Sequence, residues 1–300
     1  MELWIPITIA AAFFQNLRSA LQKHLKAELS TTGATFARFA YAAPLAALYV
    51  SGLVVLGEFD LPQPNARFVT YAIIGGLAQI SATALLVYLF SFRNFAVGTT
   101  YSKTETVQTA LFGIVILGDP LSLVAALAIL ISLIGVMLIS VARSRTSTTR
   151  MLLALAEKPA LIGIASGACF GISAISYRGA SLSLGGEGFL VQAAFTLACV
   201  TLFQTLVMAL YMRLREPGQL TKVARSWRVS GWTGVAGMLA SAGWFTAMTI
   251  QNAAYVRALG QIELLFTLAA SRLFFKERSN PLELVGIVLV VGGILLLLVA

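Results

Sequence analysis

Residues 94–120, NFAVGTTYSKTETVQTALFGIVILGDP, set Lys103 and Glu105 inside a run that is otherwise apolar enough to cross a membrane. Sliding the chain against itself by 158 positions lays this run on residues 252–279, NAAYVRALGQIELLFTLAASRLFFKERS. Asn94 then falls on Asn252, Ala96 on Ala254, Glu105 on Glu263, Thr109 on Thr267 and Asp119 on Glu277. No single identity carries weight, but all occur at one offset without a gap. A duplicated unit of roughly 150 residues is the economical account, with a glutamate recurring at its centre.

Composition fixes the solvent. Apolar residues make up 58% of the 300 and charged ones 11%, and the mean hydropathy is +0.87. That is well outside the balance of a soluble domain, so a polytopic membrane protein is expected. The net charge of +9 has no basic, aromatic-interleaved domain behind it, which argues against nucleic acid as a partner. Two cysteines, Cys169 and Cys199, lie within apolar runs, and His24 is the one histidine. Those numbers exclude a zinc site, a CxxC pair and a disulfide framework. The amino terminus, MELWIPITIAAAFF, lacks the basic segment and small-residue cleavage site of a signal peptide and reads as the first retained span.

A helix needs about 20 apolar residues to cross the bilayer core, and ten segments qualify: 3–21, 34–56, 68–92, 95–117, 120–141, 159–181, 189–212, 229–251, 253–275 and 281–299. The expected fold is an all-α polytopic bundle of ten transmembrane helices, with one five-helix repeat over 1–145, a connection over 146–158 and a second repeat over 159–300. Five is odd, so the second copy enters the membrane from the opposite side and the repeats are inverted. Loop charges agree. Lys23 and Lys26 mark the first loop, whereas its counterpart SLSLGGEG has no Lys or Arg; Glu58 and Asp60 mark the second loop, whereas its counterpart, 213–228, is strongly basic. Positive-inside bias then puts the first, fifth, seventh and ninth loops in the cytoplasm and both termini outside.

Tyr101, Glu105 and Gln108 lie at i, i+4 and i+7 on one expected helical face, and Gly260, Glu263 and Thr267 make the matching face of the second copy. Gln261 stands where Lys103 stands in the first copy. A step of two residues turns a helix by about 200°, so Lys103 is expected to face away from Glu105. A charge at mid-membrane costs about 2.5–3.5 kcal/mol on insertion scales, and such groups usually mark a pathway; Glu105 and Glu263 are therefore candidate cavity residues, against the alternative of a structural ion pair. Arg18 and Arg178 match at an offset of 160. They either neutralise the two glutamates or snorkel to the interface. Gln15, Asn16, Gln79, Tyr88, Asn94, Tyr177, Trp244, Asn252, Tyr255 and Arg257 complete the polar set. Trp244 stands out because it lies well inside its span, where aromatic interface anchors do not sit. Glycines such as Gly163, Gly167 and Gly171 have the small-x-x-x-small spacing of close helix contacts.

At these residues the chain resembles the drug/metabolite transporter superfamily, specifically its ten-helix proteins built from two EamA-type repeats. The likeness rests on apolar fourth and ninth segments ending in an acidic turn, ILGDP at 116–120 and FFKERS at 274–279, each followed by a Gly-containing final span, LISLIGVMLI or LVGIVLVVGGILLLL. The resemblance implies a carrier with a central cavity between the repeats that works by alternating access; relatives are associated with amino acids, other metabolites, nucleotide sugars and drugs. Where many EamA repeats carry Pro, fourteen residues before the acidic turn, this chain has Glu105 and Glu263. Its loop charges also run opposite to those of typical members, whose termini are cytoplasmic. The expected function is secondary transport in the cell (inner) membrane, as an exporter of small metabolites or amino acids, either coupled to protons or facilitative. The alternative is an integral-membrane enzyme acting on a lipid-linked substrate. The expected partners are the bilayer, a small-molecule substrate and protons. No cofactor is expected, and the lack of a GxxxxGK[ST] motif disfavours ATP drive.

Overall fold

The computed structural model describes residues 2–92, 100–144, 157–186, 188–266 and 281–300. It holds eleven α-helices and no strand among these residues. They are α1 (Trp4–Leu25), α2 (Thr31–Leu56), α3 (Ala66–Leu89), α4 (Glu105–Phe112), α5 (Leu123–Ser144), α6 (Lys158–Ser183), α7 (Phe189–Arg215), α8 (Gln219–Arg225), α9 (Trp227–Ile250), α10 (Ala253–Leu259) and α11 (Pro281–Leu298). Local chemistry sets several starts. Ser30 caps α2 by accepting from the Gly33 amide, Asn65 caps α3 by accepting from Phe68, and Pro159 occupies the first turn of α6.

Six helices, α2, α3, α5, α6, α7 and α11, have the length and apolarity to cross a membrane. Among the described residues the outline of ten uninterrupted apolar spans is incomplete in two respects. First, α1 and α9 are long but fall short of that apolarity among the described residues; α1 carries Gln15, Asn16, Arg18 and Lys23, and α9 carries Ser241, Trp244 and Thr246. Second, the fourth and ninth segments are not single α-helices. The chain turns at Lys103 and Thr104 before α4, and α4 runs into a π-helical turn, Gly113–Leu117. Likewise α10 passes into a 3-10 turn, Gly260–Ile262, before helix resumes at Glu263. The basic loop at 213–228 also contains a helix, α8.

Packing links the two halves of the chain pairwise. Contacts between the halves include α1 with α9, α3 with α6, α2 with α7, α4 with α10 and α5 with α11, alongside others such as α2 with α9 and α4 with α6. Exchanging the halves at the register of the sequence repeat maps the first five pairs onto the same five: α1–α9 becomes α6–α3, and the other three pairs are unchanged. Loop contacts follow the same rule. At one end Ser30 Oγ donates to Glu216 Oε2 at 2.7 Å, joining the α1–α2 and α7–α8 loops. At the other Asn65 Nδ2 donates to the Ser183 carbonyl, and Phe59 lies against Gly188.

Close approach depends on glycine. A Cβ on Gly135 would lie 2.7 Å from the Gly286 carbonyl, and one on Gly286 would lie 2.7 Å from the Gly135 carbonyl, so α5 and α11 meet backbone to backbone. The outer surface is apolar, with Leu48 69% exposed and Val115 82% exposed, whereas Arg18 and Arg38 are 2% and 3% exposed. Charges inside and leucines outside are the arrangement a lipid solvent imposes.

Candidate functional site

A cavity of about 400 Å³ opens where α1, the end of α3, the turn before α4, α6, α10 and the helix resuming at Glu263 come together, with Arg18, Lys103, Glu105, Arg257 and Glu263 among its walls. Both glutamates singled out in the sequence line this one space. Lys103 forms an ion pair with Glu263, and Arg257 Nε stands 3.0 Å from Glu105 Oε1. The second contact is close but not aligned for hydrogen bonding, since Arg257 Nε and Glu105 Oε1 both lack a hydrogen-bond partner. Each pair joins a residue of the first half to one of the second.

Lys103 and Glu105 share the cavity because the backbone between them is a turn, with the Lys103 amide donating to the Thr100 carbonyl at 3.0 Å and the Thr104 amide to Tyr101. This overturns the expectation that Lys103 faces away, which assumed a continuous helix. The same turn dissolves the face of Tyr101, Glu105 and Gln108. Tyr101 is buried in a small core with Val141 and Ala160, and Gln108 reaches back to Thr104 and the Ile164 carbonyl of α6. Gly167 of α6 makes that approach possible, since a Cβ there would lie 2.9 Å from the Ser102 carbonyl and 3.1 Å from the Glu105 amide.

A polar relay extends from Glu263. Gln15 Nε2 donates to Glu263 Oε2 at 3.0 Å, Trp244 Nε1 donates to Gln15 Oε1 at 2.9 Å, and Asn16 donates to the Glu263 carbonyl. Trp244 also lies beneath Arg257, whose guanidinium carbon is 4.7 Å from the ring centroid. Gly260 admits that indole, because a Cβ there would approach Trp244 to 2.5 Å. Gln261 donates to Thr106 at 2.6 Å and staples the second-half turn to α4.

Other sequence candidates lie elsewhere. Gln79 joins Tyr177 and Gln204 in a buried cluster between α3, α6 and α7: Tyr177 Oη donates to Gln79 Oε1 at 3.0 Å, and Gln204 donates to the same oxygen at 2.9 Å. Arg178 neither neutralises a cavity glutamate nor snorkels freely. Its guanidinium clasps Asp119 at 2.9 Å and the Met248 and Gln251 carbonyls at 2.7 and 2.8 Å, tying the turn after the π-helical segment to the end of α9. Asn252 caps α10 by accepting from the Ala254 amide and donates to the Pro120 carbonyl. Asn94 lies outside the described residues.

Arg38 escaped the sequence reading. It is buried mid-α2, donates to Thr83 Oγ1 at 2.8 Å and sits over the Phe39 ring. A lone arginine in the apolar run TTGATFARFAYAAP was the available signal.

The profile of the EamA-like transporter family matches residues 2–141 and again 158–299. The chain belongs to the EamA-like transporter family. Its two matched segments bracket the repeat read from the Glu105 and Glu263 alignment, and they make this EamA-like protein a membrane transporter of the drug/metabolite transporter superfamily with two EamA repeats. No curated protein matches it significantly. A solved structure titled "Crystal structure of protein" is similar in fold, with a TM-score of 0.69 at 15% identity over 99% of this chain and 97% of that one. The EamA-like chain thus keeps a known fold at an identity where only the fold carries over.

Proposed function

We propose that this protein is a secondary transporter that moves small metabolites out of the cell by alternating access through the cavity around Glu105 and Glu263. The observation that carries the reading is the pair of ion pairs, Lys103–Glu263 and Arg257–Glu105, that bridge the two halves of the chain across one cavity. Ten spans arranged as two inverted repeats, 1–145 and 159–300 joined by 146–158, fit the exchange-symmetric helix pairs and the joining of the first loop to the seventh and of the second to the sixth. In such a scaffold, rocking one repeat against the other opens the cavity to one side or the other.

The bridges act as a latch in that cycle. Rocking pulls Lys103 from Glu263 or Arg257 from Glu105, and a glutamate left alone in a low-dielectric cavity takes up a proton in place of its cation. Proton binding at these carboxylates then alternates with substrate binding in the same cavity, which couples one flux to the other.

Counterflow and pH-gradient assays in proteoliposomes test this. Glu263→Gln is expected to remove the pH dependence of transport and to lower its rate. Unchanged pH dependence in both Glu105→Gln and Glu263→Gln rejects coupling through these residues and leaves facilitated transport.

A further inference from the structure

The cavity holds more positive charge than its carboxylates answer. Arg18, Lys103 and Arg257 line it against Glu105 and Glu263, three cations to two anions, or +1. Both carboxylates already have a cation, Glu263 in Lys103 and Glu105 in Arg257. Arg18 has neither a carboxylate within ion-pair distance nor a partner for its Nε among the described residues; its guanidinium donates only a 3.4 Å bond to Ser19. Just behind it stands Arg38, satisfied by Thr83 and the Phe39 ring but by no anion. The stems of both arginines rest on Gly237 of α9, where an added Cβ would lie 3.3 Å from Arg38 Cγ and 3.6 Å from Arg18 Cδ. Two buried guanidiniums side by side repel each other, and Glu105, the acid whose charge reaches Arg18, already faces Arg257.

We propose that Arg18 is the docking group for the carboxylate or phosphate of a small organic anion that brings no positive charge of its own, and that Arg38 supplies the field behind it. A guanidinium is planar, permanently charged and matched to two-point binding of either oxyanion. Arg18 is buried yet lines the cavity, and its Nε has no acceptor among the described residues, so a bound oxyanion at this guanidinium supplies one. An ammonium group on the cargo has no open counter-charge, because the two glutamates are engaged by Lys103 and Arg257. The assignment of this anion as cargo rests on the transport reading; its binding does not.

The test uses the full-length protein purified in detergent, with thermal shift and isothermal titration at constant ionic strength. Acetate, succinate, citrate, inorganic phosphate and glucose 6-phosphate form one arm, and glucose, leucine and tetramethylammonium the other. At least one anion is expected to raise the melting temperature while the second arm does not, and which anion does so separates carboxylate from phosphate. Arg18→Gln is expected to weaken that anion about tenfold to a hundredfold, the loss of one charge-assisted contact. Without ligand it is expected to melt no lower than wild type, since a buried charge without a counter-ion has been removed; a purely structural arginine predicts the opposite. Arg18→Lys is expected to restore part of the affinity. No anion binding, equal or better binding of the second arm, or unchanged affinity in Arg18→Gln overturns the proposal. Should Arg18→Gln not fold, the wild-type panel and Arg18→Lys decide it, with undiminished affinity in Arg18→Lys counting against two-point docking. Counterflow with the same solutes separates the two readings. Anion binding without counterflow removes the transport reading alone, whereas counterflow confined to neutral or zwitterionic solutes removes the anion assignment alone.

Discussion

Glu263 is the most heavily engaged acid of the cavity, with Lys103 and Gln15 on its carboxylate and Asn16 on its carbonyl. Removing one member of a partly buried ion pair leaves the other without its counter-charge, which costs up to about 3–5 kcal/mol, the figure for full burial, whereas removing both is close to neutral. Lys103→Met is therefore expected to lower the melting temperature more than Lys103→Met combined with Glu263→Gln. Additive losses in a double-mutant cycle would show that the two side chains do not interact. Gln79 illustrates the opposite case. Its oxygen accepts from both Tyr177 and Gln204 in the α3–α6–α7 contact, away from the cavity walls. Gln79→Ala is expected to cost stability, about 0.6–2 kcal/mol for interhelical bonds of this kind, and to leave the affinity for any cavity ligand within twofold. A large affinity loss at unchanged stability would return Gln79 to the site.

At the scale of elements, the last helix of each half forms a pair that glycine alone permits. Gly293 of α11 packs on α5, where a Cβ would collide with Ser132 Oγ and lie 2.8 Å from the Ala128 carbonyl. Lipid gives helices no hydrophobic reason to associate, so their packing contacts set the strength of the pair. Gly293→Leu is expected to force α5 and α11 apart and to destabilise by about 1–3 kcal/mol, as overpacking does in close-packed interiors. Val291→Leu, at a half-exposed position on the same helix, is expected to change little. Equal melting temperatures for Gly293→Leu and wild type would show that the pair separates without cost. Gly167 plays a different part, because it lets α6 touch the turn that brings Lys103 and Glu105 to one side; that turn, rather than helical periodicity, places the first-half charges.

For the whole molecule, the joining of loops makes a definite prediction about sidedness. Ser30 meets Glu216 at one end and Asn65 meets Ser183 at the other. Single cysteines at Lys26 and Glu216, in a background with Cys169 and Cys199 replaced, are expected to react with an impermeant maleimide from the same side of the membrane. Cysteines at Asp60 and Gly186 are expected to react only from the opposite side. Labelling of Lys26 and its second-repeat counterpart Gly186 from one side would abolish the inverted arrangement. The compartment in which Lys26 is labelled also reads out the orientation set by the loop charges.

What the sequence determined by itself was the solvent, the helical class and the repeat. Apolar runs of bilayer length admit little but helices, and aligned copies of Glu105 and Glu263 expose a duplication without any coordinates. The same pattern marked most of the charged residues that now line the cavity, because an ionisable group in an apolar run is costly wherever it sits. Tertiary structure decided which of them meet. Arg18 and Arg178 are twins in the alignment, yet one borders the cavity while the other clasps Asp119 and the end of α9. Lys103 and Glu105 seemed opposed until the turn at Thr104 brought them together, and Arg38 gained meaning only when α9 set it beside Arg18 at Gly237. Hydropathy and periodicity are properties of one segment, whereas a cavity is made by several segments at once, and its net charge follows from contacts that no single helix contains.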